Sequence, residues 1–193
     1  MLLGPDDLLP HRPRRVLVSG SSGVGKSTLA RALGVRLGLP YTELDGLYHG
    51  PGWVPRPEFV ADVRALVAGE EWVTEWQYTE VRPLLLDRCD LVVHLDVPRR
   101  TAMWRVTRRT LSRRLRRTEL WNGNREGPLW HLFHDPEHIV RWAWSSYPVA
   151  SERIAAVLAE RPQLPVVRLR AGEVEAWRDG PISRDPGTPG PPR

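Results

Sequence analysis

Apolar residues recur along this chain at two spacings. Short runs rich in Val, Leu and aromatic residues at 16–19, 41–44, 72–75, 91–96 and 165–169 predict strands, because a strand covered on both faces needs no polar alternation. Between them, apolar residues return every three or four positions at 26–37, 56–68, 79–87, 98–117 and 136–159, the period of a helix with one buried stripe. Gly38 and Gly69 stop the first two helices, since glycine closes a helix in the left-handed conformation without a Cβ penalty. The Tyr147-Pro148 pair predicts a break in the last, where proline has no N–H to donate and its ring meets the preceding turn. Strands alternating with helices around a parallel sheet make an α/β protein, here three layers with a five-stranded sheet.

The flanks lack this periodicity. Residues 1–14 and 179–193 are rich in Pro, Gly and charge and predict disordered tails. One domain remains at 15–178, with a lid at about 105–140 in which Asn122-Gly123-Asn124 and Gly127-Pro128 mark irregular turns,. A domain of this size buries a real core, and 41% apolar residues with nine Trp supply it. No stretch approaches the ~20 apolar residues that span a bilayer, so no membrane partner is expected. The lone Cys89 excludes an internal disulfide, and Asp6, Asp7 and three nearby Pro disfavour a signal peptide. The expectation is a cytoplasmic monomer or homodimer.

Charge narrows the partners. A net charge of +5 favours polyanions: nucleotide phosphates, nucleic acid or an acidic protein. Of 28 cationic residues, all are Arg except Lys26. A chain that writes its cations as Arg keeps an ammonium where a compact point charge is needed.

That lysine stands in GSSGVGKS, which satisfies the phosphate-loop pattern G-x-x-x-x-G-K-[ST] at every defined position. The loop, Gly20, Ser21, Ser22, Gly23, Val24, Gly25, Lys26, Ser27 and Thr28, follows an apolar strand and opens a helix. Its glycines let successive N–H groups turn inward around phosphate oxygens, and the helix N-terminus adds unpaired N–H groups and a favourable dipole. Lys26 then meets the terminal phosphates of ATP or GTP, and the Ser27 hydroxyl is a Mg²⁺ ligand. A glycine-rich turn that merely caps a helix is the bland alternative, and the strand and helix on either side weigh against it.

With these motifs the chain resembles the adenylate-kinase-like group of P-loop kinases, and most closely the topology modulation protein family. The resemblance spans about 16–169 and rests on GSSGVGKST, Leu44-Asp45, Pro51-Gly52-Trp53, WVTEWQY at 72–78 and DLVVHLDVPR at 90–99. It implies a nucleoside-monophosphate-kinase-like P-loop NTPase fold, an Arg-rich helical lid and transfer of the γ-phosphoryl group of ATP with Mg²⁺. It also implies that the strand ending in Glu75 lies beside the phosphate-loop strand, which makes Glu75 the acidic Mg²⁺ residue ahead of Asp96. Where many such relatives read Asp-Gly-Asn-Tyr, this chain reads Glu75-Trp76-Gln77-Tyr78, a longer acid followed by a bulky ring. Arg170-Ala171-Gly172 falls where relatives hold adenine through backbone groups.

On the acceptor side, Asp45 closes an expected strand and precedes Gly46, at the sheet edge where open α/β sheets bind ligands. Shikimate- and gluconate-kinase-like enzymes carry an Asp in a similar place, which implies that Asp45 orients or deprotonates the acceptor. Ordinary Asp-Gly turn chemistry is the alternative. Tyr48, His49 and Trp53 either line an acceptor pocket or pack.

Nine Arg and no acid occupy 99–117. Arg105, Arg108, Arg109, Arg113, Arg116 and Arg117 share one helical face, opposite Trp104, Leu111 and Leu115,. A kinase assigns Arg109 and Arg113, then Arg105, to nucleotide phosphates. The disfavoured alternative is a nucleic-acid backbone, held by a regulatory nucleotide-hydrolysing protein associated with DNA or by a nucleic-acid-end kinase; no recognised binding motif supports it. His131, His134 and His138 with Asp135 suggest a metal only weakly, because Pro136 interrupts their helix and no Cys completes a site. The expected activity is therefore an ATP-dependent phosphotransferase acting on a small hydroxyl- or phosphate-bearing acceptor.

Overall fold

The structure, a computed structural model, describes residues 1–116, 119–124 and 139–183, with backbone alone at 114 and 139–148. Five parallel strands, β1 (Leu2–Leu3), β2 (Arg15–Ser19), β3 (Trp72–Glu75), β4 (Leu91–Asp96) and β5 (Val166–Arg170), lie in the order β1-β5-β4-β2-β3. The phosphate-loop strand β2 is thus flanked by β3 and β4, with Val16 opposite both Val73 and Leu91. Successive residues of a strand point to opposite faces. Val16 and Val18 accordingly enter one core with Leu29, Leu33 and Trp177, whereas Leu17 enters the other with Phe59, Leu85 and Ile154. Both faces are covered, so these strands tolerate uninterrupted apolar sequence.

The helices are α1 (Lys26–Leu37), α2 (Leu44–Tyr48), α3 (Phe59–Ala68), α4 (Arg82–Arg88), α5 (Arg99–Leu115), α6 (Ile139–Glu160) and α7 (Val174–Asp179). Helix α1 ends as its sequence requires, with Gly38 at φ 72 and its N–H on the Gly34 carbonyl,.

Five sequence expectations are corrected. The strand expected at 41–44 is reduced to a single bridge, Tyr41 to Val73, after which the chain turns into α2. The fifth strand is instead β1, inside the segment expected as a disordered tail. It pairs with β5 while the Met1 amine donates to the carbonyl of Leu164 at 2.8 Å. Pro148 does not break the last helix, which runs unbroken from Ile139 to Glu160. On α5 the packed face is Ala102, Val106 and Thr110, not the stripe of Trp104, Leu111 and Leu115, which is exposed among the described residues. At the other end, Ile182 is buried, so ordered chain extends past 179. Part of the lid expected at 105–140, namely 117–118 and 125–138 with His131, His134 and His138, lies outside the described residues, and Arg117 is among them.

Candidate functional site

The phosphate loop joins β2 to α1. Gly20 stands at φ 144 and Gly23 at φ 81. A Cβ on Gly20 would meet Val24 Cγ2 at 2.8 Å, and one on Gly23 would meet Val106 Cγ2 at 2.4 Å and the Ala102 carbonyl at 2.5 Å. The loop is therefore packed directly against α5, and only glycine fits at the contact. Lys26 Nζ donates to the Ser21 carbonyl at 3.0 Å. Burial lowers the Lys26 pKa and nearby Arg109 adds to this, while the negative charges of Asp45 and Glu75 oppose it.

Glu75 ends β3 next to β2 and is fully buried. Tyr41 Oη donates to its Oε1 at 2.8 Å, and the Ser27 hydroxyl donates to the same carboxylate. Burial raises the Glu75 pKa and Asp45 raises it further, against these hydrogen bonds. Ser27 and Glu75, assigned from sequence to one metal, are thus in contact. Two oxygen donors, one of them a buried carboxylate whose charge is only partly relieved, fit Mg²⁺, which takes one or two protein oxygens and completes its shell with phosphate and water. Asp96 differs: it is held by Arg168, with Nη2 to Oδ2 at 2.6 Å. Trp76 does not intrude on the site. Its indole is buried in the core beside Leu85, with Nε1 donating to the Arg82 carbonyl at 3.1 Å.

Asp45 lies in the first turn of α2 rather than at a strand end. Its Oδ1 accepts from both Gln77 Nε2 and Tyr78 Oη, each at 2.7 Å. Tyr78 holds this pose at φ 59, a conformation that a bulky residue adopts only under constraint. Burial, then the charge of Asp45 and the hydrogen bond to it, push the Tyr78 pKa up. Tyr48 stacks on Tyr78 at 4.2 Å between centroids, and His49 meets Trp53 edge-on at 5.1 Å and faces Trp121 at 6.0 Å. A turn at Trp121–Gly123 closes over this cluster. Asn124 fastens it: Nδ2 donates to the Gly50 carbonyl at 2.8 Å, and Oδ1 accepts from the Trp53 N–H at 3.0 Å.

Helix α5 borders both halves. Arg105 Nη1 donates to the Val24 carbonyl in the phosphate loop at 3.2 Å. Arg109 lies close enough to Lys26 to depress its pKa, and Arg113 lies over the Trp121 ring at 5.9 Å. The Arg170 N–H, in the turn expected beside adenine, is taken by Glu173 Oε2 at 2.7 Å.

Sequence reasoning missed Gln77, Tyr78, Trp121 and Asn124 as site residues. Gln77 and Tyr78 directly follow the assigned Glu75, and polar residues just past a strand's carboxyl end were the available signal.

The sheet order, the loop and the helices on both faces define a three-layer α/β protein with the P-loop kinase fold. A gluconokinase from Sinorhizobium meliloti shares it with a TM-score of 0.51 at 17% identity, over 90% of this chain and 93% of that one. A shikimate kinase from Bacteroides thetaiotaomicron has a TM-score of 0.45 at 16% identity, over 86% of this chain and 95% of that one. At 17% identity the likeness to the gluconokinase is one of fold. No family model and no curated protein matches the chain. Among the described residues no helix is long and apolar enough to cross a membrane.

Proposed function

We propose that the protein is an ATP-dependent phosphotransferase that moves the γ-phosphoryl group to a small hydroxyl- or phosphate-bearing acceptor. The observation that supports this most is the meeting of two carboxylates from different elements around one ammonium: both Asp45 and Glu75 act on Lys26. Glu75 is tied to the phosphate-loop serine, whereas Asp45 is clamped among aromatic rings.

In this reading the phosphate loop and Lys26 hold the β- and γ-phosphates, exchanging the Ser21 carbonyl contact for phosphate oxygens. Ser27 and Glu75 would hold Mg²⁺, which screens phosphate charge when bound. The acceptor oxygen attacks the γ-phosphorus, the bond from phosphorus to the β–γ bridging oxygen breaks, and ADP leaves. A hydroxyl acceptor's proton passes to Asp45 Oδ2, the oxygen that neither Gln77 nor Tyr78 occupies,. Arg109 and Arg113 approach the charge that builds on the transferred group.

The test is ADP release from ATP and Mg²⁺ across nucleosides, nucleotides, sugars and other metabolites. Asp45→Asn should lower acceptor-dependent turnover by about 10²–10⁴-fold while ATP still binds, and Lys26→Ala should lose ATP binding. An Asp45→Asn protein as active as the unaltered one would overturn the role of that carboxylate.

A further inference from the structure

Two hydrogen-bond acceptors, one in α2 and one on the residue that caps it, have no donor among the described residues. One is Asp45 Oδ2, since both donors that reach this carboxylate land on Oδ1. The other is His49 Nδ1, which is shut off from water and unpartnered. The tautomer of His49 follows from its neighbours. The single hydroxyl proton of Tyr78 goes to Asp45 at 2.7 Å, so the phenolic oxygen can only accept from His49 Nε2, 3.4 Å away. Nε2 then carries the imidazole proton and Nδ1 a bare lone pair. Burial favours this neutral ring by lowering the His49 pKa, against the pull of Asp45. A buried acceptor left unpaired costs about 1–3 kcal/mol, and native proteins keep few of them.

The surroundings select the donor. Lys26 is close to Asp45, and Arg113 lies over Trp121, the ring that faces His49; an ammonium ligand would be repelled, whereas a hydroxyl would not. Trp53 and Trp121 offer aromatic walls to the C–H face of a ring,. Asp45 and His49 stand one helical turn apart, with the His49 N–H on the Asp45 carbonyl at 3.0 Å. That spacing puts their Cβ atoms about 5–6 Å apart, within reach of two neighbouring hydroxyls making one hydrogen bond each.

We propose that the acceptor is a compound with hydroxyls on adjacent carbons, a sugar or cyclic polyol, and that His49 sets its specificity. One hydroxyl lies at Asp45 Oδ2 for phosphorylation and the next donates to His49 Nδ1. This rests on the phosphotransferase reading above.

Long-range ¹H–¹⁵N spectra of the full chain, with Mg²⁺ and a non-hydrolysable ATP analogue at neutral pH, read the tautomer directly. The probes are D-glucose, D-ribose and myo-inositol, with the deoxy counterparts of the two sugars and a deoxynucleoside monophosphate beside them. His49 should carry its proton on Nε2, and its Nδ1 resonance should move with at least one diol. In the ADP-release assay, His49→Phe should raise KM for that diol by about tenfold to a hundredfold more than it raises KM for the deoxy counterpart. His49→Asn, whose Oδ1 falls near the position of Nδ1, should restore the discrimination. An Nδ1–H tautomer, an Nδ1 resonance that no diol moves, or equal damage to diol and deoxy compound overturns the inference. Phosphorylation of the deoxynucleoside monophosphate alone sinks diol recognition but keeps phosphotransfer. A diol that moves Nδ1 while no compound releases ADP does the reverse.

Discussion

Tyr78 donates its hydroxyl to Oδ1 of Asp45 at 2.7 Å, and Gln77 reaches the same oxygen. Two donors on one oxygen fix the carboxylate plane and leave Oδ2 clear of both, where the proposed function puts the acceptor. Hydrogen bonds to a charged group are worth about 1.5–3 kcal/mol. Tyr78→Phe should therefore lower kcat about tenfold to a hundredfold with the KM for ATP little changed. Equal losses in kcat and ATP affinity would mean that the bond supports the fold rather than the chemistry.

Glu75→Gln keeps an acceptor for Tyr41 but removes the charge beside Ser27. The Mg²⁺ concentration needed for half-maximal turnover should rise by at least about tenfold, the lower range for a lost metal contact. A Mg²⁺ titration identical to that of the unaltered protein would move the cation away from this pair.

Two loop glycines separate two kinds of constraint. Gly25 has φ 104 and nothing within 4 Å of a built Cβ, whereas Gly23 has φ 81 and the Ala102 carbonyl 2.5 Å from its Cβ position. Gly25→Ala should cost only the left-handed backbone, about 1–2 kcal/mol. Gly23→Ala should cost clearly more, because backbone cannot move aside as a side chain can, and ATP binding should fall with Tm. Thermal unfolding of both variants checks the order, and equal Tm values would contradict the contact with α5.

His94 is buried in β4, with Nδ1 at 3.4 Å from Ser19 Oγ. Burial lowers its pKa from the ordinary 6.5, outweighing the pull of Asp96. The unfolded chain therefore binds a proton that the folded chain refuses, and stability present above pH 6.5 is lost as pH falls below it,. One such proton contributes at most about 1.4 kcal/mol per pH unit. His94→Gln should flatten the acid limb of unfolding free energy against pH, and an unchanged slope would assign that limb to other groups.

Where local pattern and tertiary packing agree, the elements were legible in sequence. Helix α1 runs from Lys26 to Leu37 because a phosphate loop starts it and Gly38 ends it, and β3 and β4 match their apolar runs. Tyr41 failed as a strand because one bridge to Val73 satisfies the backbone before Leu44 begins a helix. β1 was hidden because two residues carry no period; its partner is the edge of β5, more than one hundred and sixty positions away. In the candidate site, Lys26 and Ser27 follow from the phosphate-loop pattern and Glu75 from the end of β3, whereas Asp45 was expected at a strand end and stands in the first turn of α2 instead. Gln77 and Tyr78 were legible only as polar residues just past β3, while Trp121 and Asn124 join the cluster through contacts between distant segments, which no local spacing encodes.

Helix α5 contains neither Gly nor Pro from Arg99 to Leu115, so it has none of the usual causes of a kink and is about 25 Å of nearly straight rod at 1.5 Å per residue. One stretch of it is pinned under Gly23 and Val24, and another leans on Trp121 through Arg113. The phosphate loop and the aromatic roof over Asp45 thus rest on one continuous helix. Linkage is reciprocal: whatever factor nucleotide lends to acceptor affinity, the acceptor must return to nucleotide affinity, so two ligands that share no atom would report each other's presence.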